Sequence, residues 1–414
     1  MRWFIGLVVL SVFGLVRPAS AAFEITTNDD LSLSLGGYAR SLGGIQKIVY
    51  IAPTGAPVEI LPKNHYGLSA NIFRLEWKAA LIDRFSAEIH QRLFLRVVSE
   101  SSALNTAQLG MGASARPQRK LNLRSNIYNE DKLLLEHDID RLVVRANCGN
   151  FDINMGRQAI TWGEAQLFTT TDIWATFSPF EIDTTQKRGV DALRIIYSHS
   201  DAIEFDAIVA DRGNLSNLSG GMRLLSYNSI ADFYLAAAKN WRDLLGSLGV
   251  STTIKDFKLR AEISQPYNID KEKFIRPKIS MGFDWLHPDF TLTLETHYNG
   301  NGVKRTEKYI WYLMTSSTIS HQQDYLLGRW YAGSAASYKI SELFSLAATI
   351  MSNLQDKSVI LNGSFTYYIT QETEISIGAY QGVGKKMQIA PVPQWHSEFG
   401  SYGSQYYVAM ASFF

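Results

Sequence analysis

The stretch between residues 156 and 194 contains the densest set of side chains that could select a solute. The charged residues of its central part, 159–189, are Glu164, Asp172, Glu181, Asp183, Lys187 and Arg188. Large aromatic residues are interspersed with them, namely Trp162, Phe168, Trp174 and Phe177. A segment of this composition can pack its rings against a protein wall and present its charges to an opening. Charges placed in that way select solutes in a pore by electrostatics.

The residues that could support covalent or metal chemistry are scattered along the chain. The 8 histidines are His65, His90, His137, His199, His287, His297, His321 and His396. None of them belongs to a nucleophile motif, a phosphate-binding loop or a paired-histidine zinc motif. The single cysteine, Cys148, cannot form an internal disulfide, a metal cluster or a haem attachment site. The sequence therefore predicts no catalytic residue, no metal site and no cofactor.

A second set of charged residues alternates with apolar residues in the first half of the chain. Its basic members are Arg74, Lys78, Arg92, Arg96, Arg141, Arg145 and Arg194. Its acidic members are Glu76, Glu88, Asp152, Glu204 and Asp206. We expect these side chains on the inner face of a closed sheet, where facing rows of opposite charge would create a polar path. The alternative is that they pair with one another and fill the interior.

The elements that must position these residues are β-strands, because the dominant hydrophobic period is two. Residues 73–79 place Phe, Leu, Trp and Ala on one face and Arg, Glu and Lys on the other. Many such runs reach the roughly 9–11 residues with which a tilted strand crosses a bilayer. An open sheet in lipid would leave its edge N–H and C=O groups unsatisfied, so the sheet must close. The pattern predicts an all-β, closed antiparallel transmembrane barrel.

The connections between these runs alternate between short and long, as in barrels with short periplasmic turns and longer outer loops. The predicted strands begin near residues 31, 66, 85, 132, 151, 190, 202, 220, 230, 244, 257, 278, 290, 326, 342, 357, 372 and 403. This pattern predicts about 18 strands, with 16 as the alternative because residues 220–256 are ambiguous. The first long connection is expected over residues 41–65, and the connection 159–189 is expected to fold inward.

The two ends of the chain indicate export. Arg2 precedes the uncharged apolar stretch 3–16, and Ala19-Ser20-Ala21 matches a signal-peptidase site. We predict a signal peptide over residues 1–22 and a single barrel over residues 23–414. Every second residue back from Phe414 gives a mostly apolar, aromatic-tipped face. This resembles the final strand by which outer-membrane barrels are recognised, so the expected location is the cell outer membrane.

The composition is compatible with such a barrel and argues against two other classes. Hydrophobic residues make up 46% of the chain and the mean hydropathy is −0.08, which is too polar for a bundle of transmembrane helices. A barrel has this balance because only alternate residues face lipid. A net charge of +1 argues against nucleic acid as a partner.

Part of the stretch 156–194 resembles a loosely defined family of porin-like bacterial outer-membrane proteins. The matching residues are G-R-Q-x-I-x-W-G at 156–163, then Asp172, Pro179 and Asp183, then G-V-D-A-L-R at 189–194. The spacing between Asp172 and Pro179 departs slightly from the family pattern. The resemblance implies a channel in contact with outer-membrane lipid that lets small polar or charged solutes cross the outer membrane.

The same family leaves other functions open. One is a barrel that sheathes a periplasmic multihaem cytochrome in an extracellular electron-transfer conduit, with that cytochrome as its partner. Another is a polysaccharide-export barrel, and an outer-membrane enzyme is the remaining alternative. The resemblance implies a barrel and transport, and it does not identify the cargo.

Arg157 does not fit the strand alternation. It follows Phe151, Ile153 and Met155 on the apolar face, so it would point towards lipid. A lipid-facing arginine at the bilayer midplane costs about 2–4 kcal/mol, and the cost falls near zero at the interface. We therefore expect Arg157 at the membrane rim, or turned inward by a bulge towards the loop carboxylates.

Overall fold

The computed structural model describes residues 23–28, 31–47, 50–51, 65–81, 84–99, 119–130, 132–168, 170–176, 186–213, 217–321, 323–388 and 394–414. The predicted signal peptide, Phe177 and Asp183 lie outside these residues.

The fold is a closed barrel of 18 antiparallel strands. The strands are β1 (Leu31–Lys47), β2 (His65–Leu81), β3 (Phe85–Val98), β4 (Leu133–Cys148), β5 (Phe151–Gln158), β6 (Val190–Ser200), β7 (Ile203–Ala210), β8 (Ser219–Ser226), β9 (Asp232–Asn240), β10 (Asp243–Ile254), β11 (Phe257–Asn268), β12 (Lys278–His287), β13 (Phe290–Asn299), β14 (Trp330–Ser341), β15 (Phe344–Asn353), β16 (Ser358–Tyr368), β17 (Thr373–Val383) and β18 (Ser404–Phe413). Each strand pairs with the next, and β18 pairs with β1 from Tyr38↔Phe413 to Lys47↔Ser404. The sheet therefore has no open edge in the membrane.

Several short elements extend this barrel. Phe23–Asn28 pairs with the start of β1, Arg124–Glu130 with the start of β4, and Lys273–Phe274 with the end of β11. Tyr50–Ile51 and Met387–Gln388 pair in parallel. The helical elements are the 3₁₀ turns Thr306–Lys308 and Phe399–Ser401 and the α-helices α1 (Tyr309–Thr315) and α2 (Ser317–Ser320).

The predicted strand beginnings agree with the observed ones to within four residues. The ambiguous region forms β8, β9 and β10, so the count of 18 is confirmed and the alternative of 16 is wrong. The last two are joined by the two-residue turn Trp241-Arg242, in which Trp241 adopts a φ of 56°. The first strand continues to Lys47 where a loop was predicted from residue 41, because both neighbouring strands pair with residues 41–47.

The two faces of the sheet differ in polarity as the alternation predicts. On β11, Leu259 and Ile263 are 44% and 38% exposed, whereas Arg260 and Glu262 are 4% and 3% exposed. An apolar exterior around a polar interior is suited to hydrocarbon surroundings. Among the residues that the structure describes, no helix is both long enough and apolar enough to cross a membrane.

Short turns such as 149–150, 201–202 and 255–256 lie at one end of the barrel, and the long connections lie at the other, which we call the outer end. There the connections 300–329 and 384–403 pack together through Tyr309, Tyr312, Leu327 and Trp395. The outer end therefore carries its own small apolar core.

Candidate functional site

The segment 159–176 leaves the end of β5 and contacts the polar faces of distant strands. Trp162 Nε1 donates a hydrogen bond of 2.9 Å to Asp206 on β7. The backbone N–H of Phe168 donates one of 2.8 Å to Glu295 on β13. Because both carboxylates belong to the buried polar face of the sheet, the described part of this segment lies along the inner wall. We call residues 159–176 the wall segment.

Glu262 on β11 holds the first half of the wall segment. Its carboxylate accepts hydrogen bonds from the backbone N–H groups of Glu164, at 3.1 Å, and Ala165. It also accepts bonds of 2.6 Å from the hydroxyls of Thr171 and Tyr234. Four donors therefore replace the water that a carboxylate would otherwise bind, and charge-assisted bonds of this kind are stronger than neutral ones.

Glu295 on β13 holds the next residues of the wall segment. It accepts hydrogen bonds from the backbone N–H groups of Gln166, at 2.9 Å, and Phe168, at 2.8 Å. Arg260 donates to Glu295 at 3.2 Å and also to Asp284 on β12. The guanidinium thus offsets two buried carboxylates, which lowers the cost of burying them.

Aromatic packing supports the same placement. Trp162, Phe168 and Trp174 are at most 2% exposed and pack against the wall, whereas Phe177 of the predicted set lies outside the described residues. Trp162 and Trp174 meet edge to face with ring centroids 5.1 Å apart. Phe168 stacks on His297 of β13 at 5.4 Å. Such aromatic contacts stabilise the packed position beyond the area they bury.

The backbone of the wall segment turns at Gly163. Its φ is +100°, a conformation that L side chains rarely adopt. A Cβ at this position would also collide with Thr171 Oγ1. Glycine is therefore required for the approach of this turn to Glu262.

Arg212 clamps the end of the wall segment at the outer end. It lies in the connection after β7 and donates to the carbonyls of Trp174, at 3.1 Å, and Ile173, at 3.4 Å, and to Asn240 Oδ1 at 3.3 Å. Its guanidinium lies 5.9 Å from the ring centroids of Trp174 and Trp241. Burial lowers the pKa of Arg212 to about 10, which still leaves it charged at neutral pH.

Two predicted loop carboxylates form ion pairs. Glu164 accepts from Lys258 of β11 at 2.9 Å, and Asp172 accepts from Lys187. Burial raises the pKa of Asp172, and the adjacent Lys187 ammonium opposes that rise. Arg188 is half-buried beside Lys187. Because part of the connection lies outside the described residues, the inward path of the whole stretch 159–189 stays a prediction.

The predicted basic residues of the early strands are largely paired with carboxylates. Arg74 on β2 is 1% exposed and bonds to Asp140 at 2.8 Å, to Glu76 at 2.9 Å and to His90 at 2.9 Å. Three further pairs are Arg145–Glu88 at 2.6 Å, Arg92–Glu136 at 3.0 Å and Arg194–Asp206 at 2.9 Å. The charges are thus balanced within one region of the wall rather than across the lumen.

The remaining predicted basic residues differ in exposure. Arg141 on β4 is buried and donates to the carbonyls of Asp140 and Lys187. Arg96 is 9% exposed, whereas the side chain of Lys78 is 53% exposed and lies 3.8 Å from Glu76. Of the predicted set, Lys78 is therefore the most accessible to a solute in the lumen, and the roles of all these residues in solute passage stay predictions.

Arg157 faces neither lipid nor water, since it is 1% exposed. It donates to Asp191 of β6 at 2.7 Å and to the carbonyls of Ile139, at 2.6 Å, and Leu121. The preceding Gly156 has a φ of +119°, which breaks the regular alternation. The carboxylate partner of Arg157 is thus Asp191, a strand residue, rather than one of the loop carboxylates. The described residues 119–123 help to cover the Arg157 side chain.

The residues that organise this site were only partly visible in the sequence. Alternation assigned Asp206 to the polar face, but nothing local showed that Asp206, Glu262 and Glu295 bind the wall segment. No sequence signal marked Arg212. No three His, Cys, Asp or Glu side chains within the described ranges are grouped so that they could hold a metal ion.

A closed barrel with an apolar exterior and a polar interior is the architecture of a large outer-membrane β-barrel, and this chain belongs to that class. No protein-family model matches the chain, and no curated protein matches it.

Solved structures of similar fold include proteins of Pseudomonas aeruginosa and Acinetobacter baumannii. OccD3 (OpdP) of Pseudomonas aeruginosa has a TM-score of 0.52 and 10% identity, with 98% of this chain and 96% of that chain covered. OccAB2 of Acinetobacter baumannii has a TM-score of 0.55 and 7% identity, with 92% and 98% covered. The outer membrane protein OpdK of Pseudomonas aeruginosa has a TM-score of 0.54 and 7% identity, with 93% and 99% covered. At this identity the likeness concerns the fold.

Proposed function

We propose that the chain is an outer-membrane channel through which small polar or charged solutes cross, and that the wall segment narrows its lumen. The observation that carries the proposal is the binding of the wall segment to Glu262 and Glu295 inside a closed barrel. In this proposal a polar path for the solute runs beside the wall segment. The likeness of the barrel to Occ and OprD porins supports the same function.

Lys78, Arg145 and the pair Glu164–Lys258 are the charged groups that we propose to meet the solute. Their side chains are 53%, 39%, 35% and 31% exposed, respectively. Arg145 is paired with Glu88, and Glu164 with Lys258, so the more exposed Lys78 would contribute most to the local field. Their position in a low-dielectric barrel strengthens their effect on an ion compared with bulk water.

Planar-bilayer recording with the purified protein tests the proposal. We expect stepwise conductance whose ion selectivity shifts towards cations in the Lys78→Gln variant, since that change removes an exposed positive charge from the lumen. A Lys255→Gln variant is the control, because Lys255 is exposed in the two-residue turn 255–256 rather than on the inner face of a strand. A silent protein that migrates as a folded, heat-modifiable barrel would overturn the channel function.

The alternative function, a sheath for a multihaem cytochrome, requires a lumen wide enough for a folded protein. The wall segment takes up part of that space, which favours small solutes. Purification in mild detergent distinguishes the sheath from the solute channel, because a sheath would co-purify with a haem protein and a channel would not. Hydrolase and polysaccharide-export assays test the remaining alternatives.

We also propose that residues 1–22 form a signal peptide that is removed on export. The charged start, the apolar stretch and the Ala19-Ser20-Ala21 site support it. N-terminal sequencing of protein purified from outer membranes should begin near residue 22 or 23. A mature chain that retains Met1 would contradict it.

A further inference from the structure

Two connections at the outer end carry a group of basic side chains. They are Lys271, Lys273, Arg276, Lys304, Arg305 and Lys308, and we call them the basic rim. All six are exposed, and none forms an ion pair with another described residue. The acidic residues of these connections are Glu272, Glu307 and Asp270, and Asp270 is already paired with Arg242 at 2.9 Å. The basic rim therefore has a clear excess of positive charge.

The two connections form one surface because the strands beside them are neighbours. β12 and β13 pair from Lys278↔Asn299 onwards, so residues 269–277 and 300–308 begin side by side. A Cβ on Gly300 would collide with the carbonyl oxygens of Arg276 and Pro277, which means that the two backbones touch. The six cations can therefore act on a single ligand.

An aromatic belt lies directly below the basic rim on the outward face of the barrel. Tyr267 and Phe274 meet edge to face at 5.1 Å, and Tyr298 and Trp330 lie 4.6 Å apart. Phe274 is 72% exposed and Trp330 is 55% exposed. Aromatic girdles mark the boundary between hydrocarbon and headgroups in such barrels. Since Lys273 is adjacent to Phe274, the basic rim lies at the level of the lipid headgroups.

The contrast with the inward face identifies the occupant as a lipid. Lys278 lies next to these connections but points inward, and it is neutralised by Asp324 at 3.0 Å. The six cations of the basic rim lie above the lipid-facing belt and form no ion pair with another described residue. Long basic side chains can extend along an apolar surface and place their charge among headgroups. Clusters of Lys and Arg at that level attract anionic lipids, and the guanidinium and ammonium groups bind phosphate oxygens.

We propose that the basic rim binds the phosphate groups of an anionic glycolipid of the outer leaflet, with its acyl chains against the belt of Tyr267, Phe274, Tyr298 and Trp330. This binding surface is separate from the lumen and does not rest on the proposed channel function. The bound glycolipid would fix the depth of the barrel in the membrane and would determine which lipid borders strands β11 to β14.

The test measures binding of lipid A to the full-length barrel in detergent by native mass spectrometry. The matched probe is lipid A from which the phosphates have been removed. The test variant is K271Q/K273Q/R276Q. The control variant is K132Q/K385Q/K386Q, which removes the same charge from exposed lysines of other outer connections. Heat-modifiable migration shows that each variant is folded.

We expect the test variant to bind lipid A at least about tenfold more weakly than the wild type, since each basic group near a membrane surface contributes roughly a fivefold effect. The control variant should bind as the wild type does, and dephosphorylated lipid A should bind weakly to all three. The affinity of the wild type should fall between about 0.05 M and about 0.5 M ammonium acetate, a volatile salt that the assay tolerates, because the exposed charges are screened.

Three results would overturn the proposal. One is equal binding of lipid A to the wild type and the test variant. Another is an equal loss in the control variant, which would show unspecific attraction to the net charge. The third is displacement of lipid A by millimolar inorganic phosphate, which would identify a site for a free solute anion.

Discussion

The carboxylate of Glu262 anchors the wall segment. Replacing Glu262 by glutamine keeps the size of the side chain and removes its charge. The amide oxygen can keep the backbone N–H groups of Glu164 and Ala165, but the amide nitrogen then faces the hydroxyls of Thr171 and Tyr234, which must turn from donating to accepting. The substitution should therefore loosen the segment without leaving a cavity.

The magnitude follows from the four bonds that Glu262 accepts. A hydrogen bond to a charged group contributes about 1.5–3 kcal/mol and a neutral one about 1 kcal/mol. In the glutamine variant, the bonds to the backbone N–H groups lose their charge, and the bonds to the two hydroxyls have to reverse. Together these changes should weaken the attachment of the wall segment by roughly 2–4 kcal/mol. A change of about 3 kcal/mol raises the ratio of detached to attached segment by about a hundredfold.

Single-channel recording in a planar bilayer measures this change. In the E262Q variant we expect frequent transitions to a state of higher conductance, which should be rare in the wild type. The control is E88Q, which also removes a carboxylate from the inner wall, but one that binds Arg145 rather than the wall segment. If E262Q and E88Q give the same conductance and the same transition frequency, the anchoring role of Glu262 is refuted.

Three further predictions test other parts of the structure. Gly163→Ala should increase protease cleavage near Thr171, because it imposes a strained φ and a collision, and unchanged cleavage would argue against the observed turn. Burial among Tyr331 and Asn353 raises the pKa of Glu398 from 4.5 to about 7, so the packed outer connection binds a proton more tightly than the detached one. Its packing should weaken as pH rises through that range. Hydrogen-exchange protection factors over residues 394–403, which are corrected for the intrinsic effect of pH on exchange, should therefore fall from pH 5 to pH 8 in the wild type but not in E398Q. Cys148 is exposed beside a short turn, so a bulky maleimide should label it only after the outer membrane is opened. Labelling of Cys148 in intact cells would show that the barrel has the opposite orientation in the membrane.

The barrel itself was largely predictable because strand alternation is a local property. A side chain points to one face or the other according to its position in the strand, so Arg260 and Leu259 could be assigned to opposite faces without knowing their neighbours. The strand count followed from the same pattern together with the thickness of a bilayer. The extent of β1 was missed because residues 41–47 alternate poorly and are ordered by their two partner strands.

The arrangement inside the barrel depended on contacts between residues far apart in the chain. Composition predicted that Trp162, Phe168 and Trp174 would pack on a wall, but not that Glu262 and Glu295 would bind the backbone between them. Arg157 looked lipid-facing from its spacing, yet Gly156 and Asp191 place it in a buried ion pair. The sequence alone determined which residues could face lipid, since that depends on period and hydropathy. Only the tertiary structure decided which buried charges meet, because hydrogen bonds and ion pairs act over a few ångströms between residues that chain closure brings together.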